Sequence, residues 1–443
     1  MTLTSVFPWN PVFSLYSILR HPHVGRERIV AFQNERLRRL VAHAYRNVAY
    51  YRGLFDRHGL NPHDIRTVED LAAVPITSRS DLQALPAEKI IARHVKPESL
   101  ITRSSSGSSG QPFIVRRTWL EERIHGVLAL RALHALGLRI NDRTCNVLRL
   151  QNPQIQDHQM IQRILAMMGI SRQIFVDALQ SPENIVQALG KNNPEVLSGY
   201  SGVLARITQN VDKEKLRSLG LRFVNTGGEV LTSLMRHQIG EGFGVPVYDT
   251  YGSIEFHLLA WECRTTGEYH VCDDGLIIEV LRDGVPAVEG ERGEVVGTDL
   301  HSFAMPLIRY KLGDVVTRGR QICRCGEPFS TIRSIQGRMI DYFVLPGNRF
   351  VHPYELGVVK VPWIQEFQVT QESLDSIVMK VVPFHKPSIQ ETAALVQSVI
   401  EIIGPEVQFK VEVVPEIPME ANGKFRVFRS YIRSAYDGLV WSD

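Results

Sequence analysis

Apolar residues recur at three- and four-residue spacings through residues 27–60, and this pattern predicts amphipathic helices near the start of the chain. Shorter helical stretches follow, separated by prolines and opened by polar capping residues. From residue 101 the pattern changes to short extended runs on both sides of a Ser/Gly-rich loop, and a long amphipathic helix is predicted near residues 119–136. The opening of the chain is therefore predicted to be mainly helical.

Between residues 140 and 260, apolar strand-like runs alternate with helical stretches, which is typical of a layered α/β domain. The predicted strands cover residues 146–150, 173–176, 196–199, 221–225 and 245–250. The predicted helices cover residues 159–168, 182–189, 201–211 and 231–241.

The remainder of the chain shows two further patterns. Residues 268–335 lose helical periodicity and predict β-hairpins, with strands at 276–281 and 293–298 joined through an Asp283-Gly284 turn. After residue 337, strand-like runs at 367–370, 377–382 and 408–414 surround one predicted helix at 388–403, which suits a small α+β lobe. The expected fold class is α/β, with a large multi-subdomain N-terminal domain over residues 1–336 (helical opening 1–100, β-hairpin-rich section later) and a small C-terminal lobe over 337–443.

Composition narrows the class of protein. The chain has 443 residues, 44% of them apolar, so extensive disorder is not expected. Its net charge of +3 is far from the basic excess of a dedicated nucleic-acid binder, and no run reaches the roughly 18 apolar residues that span a bilayer. Residues 1–22 are predicted to form an opening helix and not a signal peptide. Five cysteines do not make a disulfide framework, so we expect a reduced, cytoplasmic protein.

The Ser/Gly-rich loop at residues 104–112 has two interpretations. It is either a flexible surface turn or a cradle in which backbone N–H groups and hydroxyls converge on a phosphate. It is not a Walker A loop, because Gln111 stands where that motif requires a lysine. The composition alone favours the surface turn.

The rest of the sequence reverses that preference. Residues 104–112 resemble the Ser/Thr/Gly-rich phosphate loop of the adenylate-forming enzymes, the superfamily of acyl-CoA synthetases, adenylation domains and luciferases. Further motifs of that family follow in its order: Thr226-Gly227-Gly228-Glu229, Tyr251-Gly252-Ser253-Ile254-Glu255, Arg309-Tyr310-Lys311-Leu312-Gly313-Asp314, Gly337-Arg338 and Asn422-Gly423-Lys424. The closest resemblance is to phenylacetate–CoA ligase-like proteins, including a branch associated with capsule biosynthesis. It is supported by residues 50–55 and by the Pro75-Ile76-Thr77 segment, and it covers nearly the whole chain.

The resemblance implies an ATP-dependent ligase with a mobile C-terminal lobe. A carboxylate would attack the ATP α-phosphate and release pyrophosphate, and the acyl group would then pass from AMP to coenzyme A. The implied catalytic residues are Lys424, which would bridge the carboxylate and the α-phosphate, and Glu255, which would hold Mg²⁺. The implied nucleotide-binding residues are Ser104, Ser105, Ser106, Gly107, Ser108, Ser109, Gly110, Gly228, Glu229, Tyr251, Gly252, Asp314 and Arg338.

One departure from the family pattern concerns the second step. The family usually has Gly-Arg-x-Asp-Asp at the hinge, but this chain has Ile340 in place of the first aspartate. Alternative acceptors are therefore an amine, a hydroxyl or a carrier-protein thiol. A non-catalytic, zinc-stabilised nucleotide-binding protein is a further alternative. The acyl pocket and its carboxylic acid are not specified by the sequence, and a homodimer is left open.

Cysteine and histidine residues cluster in the hairpin-rich section. Cys263, His270 and Cys272 surround one turn, and Cys323 and Cys325 follow in a second hairpin. Two short ligand pairs on separate hairpins suit a structural zinc ion, whereas the competing interpretation is a set of small buried residues. We expect zinc, and the resemblance favours His270 over Cys272 as the fourth ligand. The lone Cys145 is expected in the core, and His257 is interpreted as a structural histidine with an acyl-pocket role as the alternative.

Overall fold

A computed structural model describes residues 21–104, 113–148, 172–338, 343–351, 356, 358, 361–418 and 427–432. The chain divides into two compact units, each built from three separate segments. The first unit comprises Met1–Arg139, Thr250–Leu312 and Val316–Ser334, and the second comprises Ile140–Asp249, Gly313–Val315 and Ile335–Asp443. A division into a large domain and a small lobe near residue 336 stays a prediction.

The described elements are interleaved helices and strands, which confirms the α/β class. The α-helices are α1 (Arg26–Asn47), α2 (Ala49–Arg57), α3 (Arg79–Gln83), α4 (Ala87–Ile90), α5 (Trp119–Ala135), α6 (Pro182–Asn192), α7 (Ser201–Asn210), α8 (Lys213–Arg217), α9 (Ser233–Phe243) and α10 (Ile389–Ile403). Short 3₁₀ turns occupy His21–His23, Glu69–Ala73, Pro97–Ser99 and Pro346–Asn348.

The strands follow the same chain order. They are β1 (Ile101–Ser104), β2 (Ile114–Arg117), β3 (Arg143–Leu148), β4 (Arg172–Asp177), β5 (Val196–Gly199), β6 (Phe223–Gly227), β7 (Val247–Ser253), β8 (His257–Glu262), β9 (Tyr269–Val271), β10 (Leu276–Arg282), β11 (Val285–Pro286), β12 (Arg292–Asp299), β13 (Tyr310–Arg318), β14 (Thr331–Arg338), β15 (Phe343–Leu345), β16 (Arg349–Val351), β17 (Ile364–Ser373), β18 (Ser376–Pro383), β19 (Gln408–Val413) and β20 (Phe428–Ser430).

The second unit contains the predicted parallel α/β layer. Its strands run in the order β6-β5-β3-β4, and each neighbouring pair is parallel. Helix α6 illustrates the local signals: Ser181 caps its first turn, Pro182 occupies its first position and Asn193 ends it in the left-handed conformation. Apolar residues of β3, β5, α6, α7 and α9 form one core, in which Cys145 is fully buried as predicted. The helix predicted at residues 159–168 lies outside the described residues.

The C-terminal part of the second unit is the predicted α+β lobe. Strands β19-β18-β17-β20 form a four-stranded sheet, with β18 and β19 parallel and β17 and β18 antiparallel. Helix α10 begins at a capping box formed by Ser388 and Glu391, and its apolar face packs into the core of this lobe.

The first unit combines the helical opening with the hairpin section. The apolar stripes of α1 and α2 bury against residues of β10 and the 300–308 segment in one core. Tyr51 fastens this packing, because its hydroxyl donates to the Pro306 carbonyl at 3.0 Å and accepts from the Ile308 N–H at 2.9 Å. Strands β10 and β12 are antiparallel, and Asp283 and Gly284 both have the positive φ of the predicted hairpin turn.

A buried charge network holds the first unit together. The Arg131 guanidinium on α5 makes a bidentate ion pair with the fully buried Asp274, one bond of which measures 2.7 Å. His21 Nδ1 lies 2.8 Å from the same carboxylate. Burial alone would raise the pKa of Asp274, but Arg131 and His21 overcome that effect and hold the pKa below its ordinary value. The network connects His21, α5 and the turn before β10 at one point.

Replacing Asp274 with asparagine should therefore destabilise the protein strongly. Asp274→Asn leaves the buried Arg131 without its counter-charge, and we expect a loss of about 3–5 kcal/mol in the free energy of unfolding measured by urea denaturation at pH 7. Because the folded pKa of Asp274 is lowered, the difference from wild type should shrink as the pH falls below about 4.

The matched control for Asp274→Asn is an exposed ion pair. Glu35 pairs with Arg39 one helical turn away on the exposed face of α1, so Glu35→Gln should change the free energy of unfolding by less than about 0.5 kcal/mol. Equal effects of the two substitutions would contradict the importance of the network.

No helix in the described part of the chain combines the length and the apolarity that crossing a bilayer requires.

Candidate functional site

The Ser/Gly-rich loop is flanked by an antiparallel strand pair. β1 and β2 align residue by residue from Ile101↔Arg117 to Ser104↔Ile114, so the chain leaves and re-enters the pair at the two ends of the loop. Ser104 is the exposed last residue of β1, while Phe113 is buried immediately after the loop. Ser105, Ser106, Gly107, Ser108, Ser109 and Gly110 lie outside the described residues.

A buried arginine joins this strand pair to the Tyr-Gly-x-x-Glu segment. Arg117, at the end of β2, is almost fully buried. Its Nη2 donates to the backbone carbonyl oxygens of Ile254 at 3.3 Å and Glu255 at 2.5 Å, and its Nε donates to Ser302 Oγ at 3.3 Å. The side chain therefore fixes the main chain on which the predicted Mg²⁺ ligand Glu255 stands.

The charge of Arg117 is balanced by a carboxylate shared with a second arginine. Glu122 Oε1 accepts a hydrogen bond from Arg103 Nε at 3.0 Å, and Glu122 Oε2 lies 3.7 Å from Arg117 Nη1. Burial by itself would raise the pKa of Glu122, but Arg117 and Arg103 outweigh it and lower the pKa. Glu122 therefore stays ionised at neutral pH and supplies a negative charge to both arginines.

The Tyr-Gly-x-x-Glu segment itself turns at the end of β7. Strands β7 and β8 pair antiparallel, with a bulge between Tyr251 and Gly252. A Cβ on Gly252 would lie 2.6 Å from the His257 carbonyl oxygen, so only glycine fits this close approach. Tyr251 and Glu255 are both buried.

His257 follows this turn in an uncommon backbone conformation, with φ of 65°. Its ring stacks on His125, with ring centroids 5.9 Å apart. Burial, the neighbouring His125 and Arg117 lower the pKa of His257 to about 3, so its imidazole is neutral at physiological pH. A neutral ring packed in this way fits the structural interpretation.

The Arg-Tyr-x-x-Gly-Asp segment is anchored by its own arginine. Arg309 pairs with Glu279 through two hydrogen bonds of 3.0 and 2.8 Å, and its Nη1 donates to the carbonyl oxygens of Ala72 and Val74. The adjoining Thr77 bonds back, with its N–H 2.9 Å from the Arg309 carbonyl. The Pro-Ile-Thr segment and the arginine motif therefore hold each other in position.

The second unit carries the Thr-Gly-Gly-Glu segment. Thr226 is the penultimate residue of β6, and its hydroxyl donates to Asp249 Oδ1 at 2.7 Å. Gly228 has φ of 76°, which favours glycine. The Glu229 carboxylate accepts hydrogen bonds from the Gly202 N–H at 2.9 Å and the Ser201 hydroxyl at 3.3 Å, at the N-terminus of α7. Glu229 thus fixes the conformation of its own segment by binding the start of α7.

The remaining predicted nucleotide-site residues are only partly described. Asp314 is buried on β13, directly after Gly313, which has positive φ. Arg338 ends β14, and its side chain is outside the described residues, as are Lys424 and the hinge residue Ile340.

The Cys/His cluster is assembled in the first unit. One ligand atom from each of Cys263, His270, Cys323 and Cys325 lies within 4.8 Å of the others. The sulfur atoms of Cys263 and Cys323 are 3.8 Å apart, and Cys325 Sγ lies 3.3 Å from His270 Nε2. Two sulfurs on one tetrahedral zinc ion, at about 2.3 Å each, are roughly 3.8 Å apart, so the donor set fits this metal.

Neighbouring groups orient the histidine of the cluster. His270 Nδ1 lies 3.3 Å from Glu327 Oε2, which leaves Nε2 directed at the sulfur atoms, the arrangement in which a carboxylate orients a ligating imidazole. Trp261 and Phe329 pack around the ring. Cys272 is not part of the cluster: its Sγ lies 3.7 Å from Asp274 Oδ1 and 3.8 Å from Arg131 Nη2.

Comparisons with known proteins point to one family. Residues 350–430 match the model of the CapK C-terminal domain. The chain is 28% identical to the phenylacetate-coenzyme A ligase of Thermus thermophilus, covering 80% of this chain and 82% of the relative. It is 26% identical to the Escherichia coli phenylacetate-coenzyme A ligase with the same coverage. Its fold matches 2-hydroxyisobutyryl-CoA ligase in the postadenylation state, in complex with R3-HIB-AMP, with a TM-score of 0.76, 20% identity and coverage of 92% and 90%.

These similarities support the predicted resemblance to the adenylate-forming superfamily, in its phenylacetate–CoA ligase-like branch. They also confirm the predicted α/β fold class.

Three residues with structural importance were missed from the sequence. Arg117 and Glu122 lie outside the motifs that the sequence analysis used. Arg117 nevertheless stands at a buried position in the alternating pattern of β2, and a charged residue at such a position indicates a buried ion pair or a functional role. Asp249, the partner of Thr226, precedes the tyrosine motif by two residues and carried no spacing signal.

The activity should depend on the guanidinium group of Arg117 and not only on its positive charge. Arg117→Lys removes the forked hydrogen bonds to the carbonyls of Ile254 and Glu255, so we expect the rate of carboxylate-dependent pyrophosphate–ATP exchange to fall by about tenfold or more. Arg116→Lys, on the opposite face of the same strand, is the matched control and should retain most of the rate. An Arg117→Lys rate within about twofold of wild type would rule out the positioning role.

Proposed function

We propose that this protein is an ATP-dependent, AMP-forming acyl-CoA ligase. The observation that carries the proposal is similarity to phenylacetate-coenzyme A ligases over 80% of the chain, together with the family motifs in their order. The similarity to ligases with an acyl-AMP complex supports the adenylate as the intermediate. The substrate class is a carboxylic acid, aromatic or otherwise compact.

The proposed reaction has two steps. In the first, a carboxylate oxygen attacks the ATP α-phosphorus, the bond to the bridging oxygen breaks, and pyrophosphate leaves. In the second, the coenzyme A thiol loses its proton, its sulfur attacks the acyl carbonyl carbon, and AMP leaves. Because two anions meet in the first step, the site must neutralise developing negative charge.

The residues take the roles that the family resemblance implies. Loop residues 104–110 would hold the β- and γ-phosphates, and Glu255 would hold Mg²⁺, which would neutralise phosphate charge. Asp314 accepts the ribose hydroxyls and Tyr251 offers its ring to adenine, with Gly228 and Gly252 allowing close approach of the backbone. Lys424 supplies a positive charge between the carboxylate and the α-phosphate. The buried Arg117 and Arg309 hold the segments that carry these groups.

Zinc has a structural role in this proposal. Cys263, His270, Cys323 and Cys325 supply four protein ligands, which leaves no open position for a substrate. The ion would pin the loop after β8 to the turn before β14. A cytoplasmic location stays a prediction from cysteine usage, and a homodimer stays open.

An acid panel tests the proposed reaction. Carboxylate-dependent pyrophosphate–ATP exchange with aromatic and short aliphatic acids should reveal at least one substrate. Addition of coenzyme A should then increase steady-state AMP release. Exchange without a coenzyme A effect would favour an amine, a hydroxyl or a carrier-protein thiol as the acceptor. The absence of exchange with every acid would favour the non-catalytic zinc-stabilised protein.

Lys424 should be required for the first step and not for nucleotide binding. Lys424→Ala removes the charge placed between two anions, so we expect exchange to fall by about 10³-fold or more while ATP binding, measured by calorimetry, changes by less than about threefold. Lys410→Ala is the control, because Lys410 pairs with Glu412 on the exposed edge of β19. Wild-type exchange in Lys424→Ala would exclude the assigned role.

The zinc content should fall when a cysteine of the cluster is replaced and should not fall when Cys272 is replaced. Wild-type protein purified without chelator should contain about one equivalent of zinc, and Cys325→Ser should lose most of it and unfold at a lower temperature. Cys272→Ala should keep the metal, because Cys272 lies with Asp274 and Arg131 and not in the cluster. Less than roughly half an equivalent in the wild type would overturn the zinc assignment.

A further inference from the structure

Two glutamine side chains of the parallel α/β layer converge on one backbone oxygen of the C-terminal lobe. Gln209 Nε2 on α7 donates to the Gln365 carbonyl at 3.2 Å, and Gln238 Nε2 on α9 donates to the same oxygen at 3.3 Å. The two glutamines also bond to each other, Gln209 Nε2 to Gln238 Oε1 at 3.3 Å. All of these residues belong to the second unit.

A bulge makes that oxygen available. The pairing of β17 with β18 shifts register between Ile364 and Glu366, so Gln365 is the extra residue of the bulged strand. An unpaired backbone carbonyl needs another donor when it is partly buried. Here the donors come from α7 and α9, so the irregularity in β17 and the two glutamines form one feature. We name it the glutamine clamp: Gln209, Gln238 and the carbonyl of Gln365.

Apolar and charged contacts surround the clamp. Met235 on α9 packs against both the core of the parallel layer and the core of the lobe. Arg206 on α7 lies 3.8 Å from Glu416 of the lobe. Burial raises the pKa of Glu366 to about 7, with Glu416 adding to the increase and Arg206 opposing it. The Glu366 carboxyl beside the clamp is therefore protonated more readily than an exposed glutamate.

The space around the clamp is too small for a substrate. The cavity measures about 20 Å³ and is lined by Gly202, Thr232, Leu234, Gln238, Phe367 and Val427. A space of this size admits roughly one water molecule. The hydrogen bonds of 3.2 and 3.3 Å are at the long end of the normal range, and the ion pair at 3.8 Å is wide. Polar contacts of this length are individually weak, so they can break and re-form while the helices and strands that carry them stay folded.

We propose that Gln209 and Gln238 are positioning residues, which hold the C-terminal lobe against α7 and α9 for one half-reaction and release it for the other. This inference rests on the proposed two-step function, in which the lobe that carries Lys424 serves both steps. Removal of the clamp frees the lobe without touching a reacting group, so it changes the balance between the two half-reactions.

The test compares Gln209→Ala/Gln238→Ala with Asn210→Ala. Asn210 is the neighbouring residue on α7, and its exposed side chain donates to the Arg206 carbonyl of its own helix and to no other residue that the structure describes. Backbone hydrogen exchange of the ligand-free proteins comes first. The double variant should exchange at least about threefold faster than wild type and Asn210→Ala in residues 361–369 and along the facing sides of α7 and α9, with an unchanged rate in α1.

The second measurement separates the half-reactions. Pyrophosphate–ATP exchange reports the first step, and single-turnover transfer from preformed acyl-AMP to coenzyme A reports the second. We expect the ratio of the two rates to change by at least about threefold in the double variant and to stay unchanged in Asn210→Ala.

The outcomes are distinguishable. Unchanged hydrogen exchange overturns the clamp itself. Faster hydrogen exchange with an unaltered ratio of the two rates, including the case in which both rates fall by the same factor, overturns the positioning role of the two glutamines. A wild-type protein without activity on any acid overturns the proposed function and with it the positioning role, while the hydrogen exchange still decides whether the clamp holds the lobe.

Discussion

Buried guanidinium groups impose the constraint on which the first unit depends. A guanidinium removed from water must find both a counter-charge and acceptors for its five N–H groups. Arg131 pairs with Asp274, and Arg309 pairs with Glu279 and donates to the carbonyls of Ala72 and Val74. Arg117 donates to the carbonyls of Ile254 and Glu255, and the nearby Glu122 supplies its counter-charge. Each arginine therefore fixes the relative position of chain segments through directional hydrogen bonds, which hydrophobic packing does not provide.

The buried arginines that stabilise the first unit also hold the segments that carry the predicted site residues. Arg117 donates to backbone carbonyls of the Tyr-Gly-x-x-Glu motif, and Arg309 ties its own motif to the carbonyls of Ala72 and Val74. Both predicted nucleotide-site motifs are therefore held by a donor that keeps its charge. Arg131 reaches Asp274 on one side and packs over the rings of Trp261 and Phe329 on the other, and these rings surround His270 of the Cys/His cluster. The proposed zinc ion and the charge network thus stabilise one region together.

The sequence predicted local features well and long-range pairings poorly. Strand β5 and the Asp283-Gly284 turn were found as predicted, because their signals lie within a few residues. The Cys263/Cys323 pairing followed from two short ligand pairs, but spacing alone left His270 and Cys272 open, since both lie on the same turn. The partners of Arg117 and the convergence of Gln209 and Gln238 on Gln365 depend on packing between distant segments, and no local pattern encodes them.

The proposed first step forms a bond between a carboxylate oxygen and the α-phosphorus of ATP. An acid labelled with oxygen-18 in both carboxylate positions tests this step most directly, in a reaction with ATP, Mg²⁺ and coenzyme A followed by mass spectrometry of the products. We expect one labelled oxygen in AMP, none in pyrophosphate, and one retained in the thioester carbonyl. Label in inorganic phosphate with formation of ADP, or the appearance of thioester with unlabelled AMP, would contradict it.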